Sequence, residues 1–139
     1  MPRVSLAPSA AGDRLGCSVA AFQDWAVVGA CKAARGAVPE AGAVHSFRLS
    51  SKQSGGRVLS PVAHYYALFG SALAMGRHGA AGLLLVGSMG EDVRRGVVYV
   101  FQFALDSTLL NAAGGGSSSA LGALPSALPY DLVHRLTNP

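Results

Sequence analysis

Side chains able to do acid–base, metal-binding or nucleophilic chemistry are few in this chain of 139 residues: seven carboxylates, four histidines and two cysteines, beside plentiful serines. His45, His64, His78 and His134 are scattered, without the short ligand spacing of a zinc site. Glu91-Asp92 is the one adjacent acidic pair and reads as solvated loop charge. Two acids fall far short of the roughly six to eight oxygens that Ca²⁺ requires. Ser88 stands in Gly87-Ser88-Met89-Gly90, close in letters to a nucleophile elbow but without its Gly-x-Ser-x-Gly spacing. Gly114-Gly115-Gly116 runs into Ser117-Ser118-Ser119 with no following Lys-Ser/Thr, so it is no phosphate loop. No catalytic residue and no metal ligand is assigned, and the chain is read as no enzyme.

Charge and hydropathy exclude more. The net charge of +4 comes from scarce acids rather than from a basic cluster. Arg94-Arg95 and Lys32/Arg35 are the densest basic spots, and no aromatic interleaving accompanies them, so nucleic acid is not expected as a partner. The longest apolar stretch, Gly79 to Gly90, is too short and glycine-rich for a membrane span. Met1-Pro2-Arg3-Val4 leads into no apolar signal segment, which leaves the compartment open. Half the residues are hydrophobic and 13% charged, which suits a folded core. Cys17 and Cys31 bound a first hairpin; both a cross-strand disulfide and two buried thiols suit that placement, with buried thiols preferred.

The elements that would hold these residues are written nearly twice. Leu15-Gly16-Cys17-Ser18-Val19-Ala20 returns as Phe69-Gly70-Ser71-Ala72-Leu73-Ala74, an offset of 54 residues. Gly42-Ala43-Val44-His45-Ser46-Phe47 returns as Gly96-Val97-Val98-Tyr99-Val100-Phe101 at the same offset. Between them, Trp25-Ala26-Val27-Val28-Gly29-Ala30 returns as Leu83-Leu84-Leu85-Val86-Gly87-Ser88 at 58. The loop before the middle block is therefore four residues longer in the second copy, and the loop after it four shorter. Length drift confined to loops is what duplicated strands joined by tolerant turns show.

The blocks are rich in Val, Leu, Phe and Tyr between glycine-bearing turns, which predicts strands at about 4–6, 15–22, 25–30, 43–49, 57–60, 69–75, 83–88, 97–103 and 132–136. Gln23-Asp24 is expected as a tight hairpin turn, and Gly76 to Gly82 as its wider counterpart. Val97, Tyr99, Phe101 and Phe103 line one face of the strand 97–103, while Val98 and Val100 begin the other. A strand apolar on both faces must be covered on both. Small sheets stacked face to face, as in propeller blades, meet that demand.

The three blocks resemble the FG-GAP repeat. Leu15-Gly16 and Phe69-Gly70 are similar to its Phe-Gly opening, and Val28-Gly29-Ala30 and Val86-Gly87-Ser88 to its Val-Gly-Ala-Pro block without the proline. Gly42-Ala43-Val44 and Gly96-Val97-Val98-Tyr99-Val100-Phe101 are similar to its Gly-x-Val-Tyr-Val-Phe strand. The resemblance spans roughly residues 4–105 and implies an integrin-α-like β-propeller whose members bind proteins or matrix through loops. It also suggests an extracellular or cell-surface setting. Many such repeats carry an Asp-rich Ca²⁺ loop between their first two strands. Here Gly76 to Gly82 offers no carboxylate and the first copy only Asp24, so neither calcium nor any other cofactor is expected.

The reading is thus all-β: two FG-GAP-type four-stranded antiparallel blades of an incomplete β-propeller ring. Residues 1–14 hold the outer strand of a preceding blade and a linker, 15–61 the first unit, and 62–139 the second. A flexible Gly/Ser/Ala/Pro insertion occupies about 106–129. Arg57-Val58-Leu59-Ser60-Pro61 has counterparts in Val4 to Pro8 and in Leu132 to Pro139, so a further blade is expected at either end. The repeat-defining residues are Gly16, Val19, Gly29, Gly42, Phe47, Phe69, Gly70, Leu73, Gly87, Gly96, Tyr99 and Phe101. His64-Tyr65-Tyr66 and Arg94-Arg95 are the candidate partner contacts. The function expected is a non-catalytic interaction or scaffold module that docks to other chains or to itself. The alternative is an accessory propeller segment of a phospholipase-like hydrolase.

Overall fold

The computed structural model describes residues 10–104 and 131–137. The expected strand at 4–6 and the insertion at 106–129 lie outside them. Among the described residues there are eight strands: β1 (Leu15–Phe22), β2 (Trp25–Ala30), β3 (Ala43–Arg48), β4 (Ser54–Val58), β5 (Phe69–His78), β6 (Ala81–Ser88), β7 (Val97–Ala104) and β8 (Asp131–Thr137). They form two antiparallel sheets, ordered β1-β2-β3-β4 and β5-β6-β7-β8. Each is a meander in which every strand pairs with its sequence neighbour, as in a propeller blade.

Local chemistry sets the turns. Gln23, at φ +54°, and Asp24 close the β1–β2 hairpin, where a two-residue connection favours positive φ. Asp24 then braces the β3–β4 turn by accepting from the Ser50 amide at 2.9 Å and its hydroxyl at 2.6 Å. The wider loop expected at Gly76 to Gly82 is instead strand. Gly76 pairs with Leu83, Arg77 with Gly82 and His78 with Ala81, leaving only Gly79 and Ala80 to turn. The extra residues lengthen the hairpin because each added pair sets a glycine or alanine opposite the larger side chain. β4 also starts earlier than expected and stops at Val58. Gly55 lies against the Trp25 ring, where a Cβ would collide, and Gly56 at φ +96° bends the strand at a register shift.

Side-chain alternation gives each sheet two faces. The face of the second sheet bearing Leu73, Met75, Leu84, Val86, Tyr99, Phe101 and Phe103 packs on the face of the first bearing Ala20, Phe22, Val27, Val44 and Val58. Phe69 sits between them, edge-on to Tyr99 and Phe101 at centroid distances of 5.6 and 6.1 Å. Such pairs add about 0.5–1.5 kcal/mol beyond area burial. By the repeat offsets, Leu73, Val86, Tyr99 and Phe101 correspond to Val19, Val28, His45 and Phe47, which lie on the first sheet's other face. The two units therefore stack head to tail, one kind of face on the other.

Candidate interaction surface

The seam between the units is made largely of backbone. Tyr66 N–H donates to the Pro39 carbonyl at 3.0 Å, Leu68 N–H to Glu40 at 3.0 Å and Phe69 N–H to Ala41 at 3.1 Å. The Gly70 carbonyl accepts from Ser18 Oγ at 2.6 Å and from the Cys17 thiol at 3.4 Å. This approach requires glycine on the receiving side. A Cβ at Gly29 would strike the Gly70 carbonyl, and one at Gly42 the Phe69 backbone.

The matching region of the second sheet is an open groove of about 470 Å³, whose lining includes Ser71, Ala72, Gly87, Gly96, Val98 and Leu136. Beyond it the same face carries Leu83, Leu85 and Val100, each only half-buried, while Ala74 is exposed. Their counterparts in the first sheet include Trp25, Val27 and Ser46, all buried, as is Val44, the counterpart of Val98. An apolar surface that is core in one unit thus faces outward in the other.

A second feature lies at the entrance to β7. Glu91 is 3% exposed, and its Oε1 accepts from the Tyr99 hydroxyl at 2.6 Å and from Arg135 at 3.1 Å, with His64 Nε2 at 3.4 Å. Its Oε2 is buried and meets no donor among the described residues. Burial first, and then the Glu91 carboxylate, push the Tyr99 phenol above its usual pKa, keeping it a donor. Hydrogen bonds to Tyr99 and then Glu91 likewise raise the Arg135 guanidinium. The first unit holds Ala33 and His45 where the second holds Glu91 and Tyr99. Equivalent bonds fix that match: Gly42 N–H to Ala33 O at 2.9 Å, and Gly96 N–H to Glu91 O at 3.0 Å. Glu91-Asp92 is therefore not the solvated pair expected; Glu91 clamps β8 and the loop at His64 onto the second sheet. The missed signal was an acid at a repeat position occupied by alanine, with a tyrosine and an arginine in register to receive it.

Beside Glu91, the turn Glu91–Arg94 is left-handed, with φ of +55°, +54° and +66° at Asp92, Val93 and Arg94. Val93 is β-branched and 92% exposed, a strained and uncovered conformation. This turn, His64, Tyr65 and Tyr66 line a cleft of about 410 Å³. Four of the five candidate contacts, His64, Tyr65, Tyr66 and Arg94, thus share one cleft, whereas Arg95 lines the groove at Gly87. Of the repeat-defining residues, Gly29, Gly42, Phe69 and Gly70 form the internal seam, and Gly87 and Gly96 its open counterpart. Leu73, Tyr99 and Phe101 pack in the core and Phe47 is half-buried, while Gly16 and Val19 face outward.

The remaining reactive groups have structural roles. Ser88 ends β6 and its hydroxyl donates to the Ala67 carbonyl at 3.0 Å. His45 is 2% exposed, and burial, followed by the nearby Arg57 charge, lowers its pKa. Both cysteines are free, but only Cys31 is buried; Cys17 is exposed, correcting the expectation of two buried thiols. The β1 bulge carries Cys17 outward while its Sγ still accepts from Cys31 N–H at 3.2 Å. Burial, with the Cys17 contact second, pushes the Cys31 thiol up to about 11. Lys32 pairs with Glu40 at 3.0 Å and Arg35 donates to the Ser60 carbonyl at 2.6 Å, so these loop cations brace the first unit. No helix among the described residues is long and apolar enough to cross a membrane.

No curated protein matches the chain. The family model of the FG-GAP repeat matches residues 7–47, which take in β1, β2 and most of β3 with the loops between them. The second unit repeats the same strand order and glycine placement. Residues 7–47 thus match an FG-GAP repeat, which lies in the first of two four-stranded propeller-type blades.

Proposed function

We propose that the chain is a non-catalytic protein-interaction and scaffold module that docks to other chains through the outward face of its second sheet. One observation carries the reading: Leu85 and Val98 are half-buried on that face, whereas their counterparts Val27 and Val44 are 0% exposed in the core between the units. An apolar, glycine-notched sheet face rimmed by polar loops has the character of a protein interface.

The test is site-specific photo-crosslinking of the full chain in cells. A photoreactive residue replacing Leu85 is expected to give adducts with one or a few defined protein chains, copies of this one included. The same residue at Lys52, exposed on the β3–β4 turn, serves as the control. Adducts at position 85 no more selective than those at 52 would refute the reading.

A further inference from the structure

We infer that the open groove of the second sheet takes the Leu15-Gly16 segment of a second copy of this chain, joining copies head to tail. This rests on the interaction-module reading above and names the partner.

The internal seam is the template. The incoming segment has positive φ at alternate residues: Tyr66 at 56°, Leu68 at 56° and Gly70 at 92°. Fifty-four residues earlier, Gly12, Arg14 and Gly16 stand at 91°, 54° and 98°. The receiving loop has Glu40 at 49° and Gly42 at 87°, and its counterparts Arg94 and Gly96 stand at 66° and 84°. Hydrogen bonds that shape the incoming segment recur as well. Ser71 N–H to Leu68 O at 3.0 Å matches Cys17 N–H to Arg14 O at 3.2 Å. Gly90 N–H to Ala67 O at 2.9 Å matches Lys32 N–H to Asp13 O at 3.1 Å. Left-handed conformations cost free energy in residues other than glycine. Here Arg14 and Arg94 hold the shapes that a docked seam uses, and both are exposed.

The groove also keeps glycines suited to an incoming backbone. A Cβ at Gly96 would meet nothing nearer than Met89 at 3.9 Å, and one at Gly87 nothing nearer than the Ala72 side chain at 3.2 Å. At Gly42 and Gly29, by contrast, a docked chain fills that space. In the same register, the amides of Gly12, Arg14 and Leu15 of the second copy reach the carbonyls of Val93, Arg94 and Arg95. Val19, 67% exposed, takes the place that Leu73 takes in the internal core. Two donors differ: Ala72 stands where Ser18 supplies a hydroxyl to the Gly70 carbonyl, and Ser71 where Cys17 supplies a thiol.

A head-to-tail contact is heterologous, so it extends or closes. Each copy brings its two described blades to such a stack, and closed propellers usually hold about four to eight. Light scattering on the full chain across a concentration series is expected to give a whole multiple of the monomer mass. Leu85→Arg should weaken association by about 100-fold or more, since its counterpart position excludes water completely. Val19→Asp should act likewise from the other surface. Neither variant associates with itself, but an equimolar mixture retains one intact pair of surfaces and should form a 1:1 dimer. Gly87→Ala, whose methyl needs a shift of a few tenths of an ångström from Ala72, should weaken assembly too, and Ala72→Ser should tighten it roughly fivefold.

A wild-type chain that stays monomeric, or a mixture that stays monomeric while both variants remain folded, overturns the inference. If the chain is monomeric while crosslinks from position 85 reach a different protein, the second copy is the wrong occupant and the interaction reading stands. If neither is seen, both fall. Should Val19→Asp not fold, self-association undiminished in both Leu85→Arg and Gly87→Ala overturns the inference alone.

Discussion

Replacing Tyr99 by phenylalanine tests the buried carboxylate most directly. The ring would keep its packing against Phe69 and Phe101, at centroid distances of 5.6 and 6.3 Å, and lose one hydroxyl. That hydroxyl donates to Glu91 Oε1 at 2.6 Å, the shortest bond the carboxylate makes. Glu91 is 3% exposed and its Oε2 has no donor among the described residues, so water has no ready access to replace the loss. A hydrogen bond to a charged group contributes about 1.5–3 kcal/mol net. Burial places Tyr99→Phe in the upper half of that range, at about 2–3 kcal/mol of lost stability.

Glu91→Ala installs the first unit's residue, Ala33, which is 4% exposed and packs well there. It takes away the acceptor of the Tyr99 hydroxyl, which keeps Arg135 Nε at 3.4 Å and Ser60 Oγ at 3.5 Å only as donors to it. That variant should lose about 1–2 kcal/mol. In the double variant the hydroxyl and the carboxylate leave together and nothing buried is left unpaired. Its loss should fall short of the sum of the singles by about 1–2 kcal/mol. The assay is equilibrium urea unfolding followed by far-ultraviolet circular dichroism, at one fixed protein concentration so that association does not enter. Additivity within about 0.5 kcal/mol would refute the claim that the two side chains act as one unit.

His45 is held neutral by burial and by Arg57, so its folded pKa lies below its ordinary 6.5. The unfolded chain then binds the extra proton, and stability present above pH 6.5 is lost as pH falls through the folded value. His45→Gln should flatten that slope in urea midpoints measured across the window, and an unchanged slope would assign it elsewhere. Iodoacetamide should modify exposed Cys17 in the folded protein and reach Cys31, its thiol at about 11, only on unfolding. Peptide mapping showing equal labelling would contradict this. Gly55→Ala places a methyl against the ring of Trp25, the single tryptophan, and should cost about 1–3 kcal/mol by overpacking. A shift in tryptophan emission reports whether the ring moves.

The strands were legible because each repeated block is apolar and bounded by glycine, and β1 and β2 fall on their expected limits. The hairpin of β5 and β6 was misjudged because Gly76 to Gly82 has a turn's composition, while pairing there needs only one small residue in each pair and one tight reversal at Gly79. β4 was misplaced for a related reason. Ser54-Gly55-Gly56 looks like a loop, yet the tryptophan beneath demands glycine in an extended strand. Glu91 could not be ranked above Asp92 by letters, since only the register Tyr99↔Arg135 shows which of them lies over two donors. Aromatic and basic side chains at His64 to Tyr66 and Arg94-Arg95 stood out in the sequence, but the groove is defined by glycines whose meaning depends on what approaches them.

Head-to-tail stacking of two like units leaves one outward face of each kind, and this fact limits how the chain can associate. The second sheet's outward face matches the first sheet's buried one, with Leu85 for Val27 and Val98 for Val44. Pairing two such faces across a two-fold axis would set groove against groove, Gly87 against Gly87, with no Phe-Gly segment to fill either. On the first unit's other face, where His45 is already buried, Val19 at 67% exposed and Gly16 at φ +98° would gain no partner. Only contact between unlike faces gives both the partner for which their backbones are already shaped. The asymmetry at Glu91 has a place in the same picture. The second unit holds its last strand by Arg135 on a buried carboxylate, whereas the first unit's last strand packs Val58 into the core between the sheets. The described side chains of β8 are all exposed, so the clamp adds to a strand held otherwise by its backbone pairing to β7.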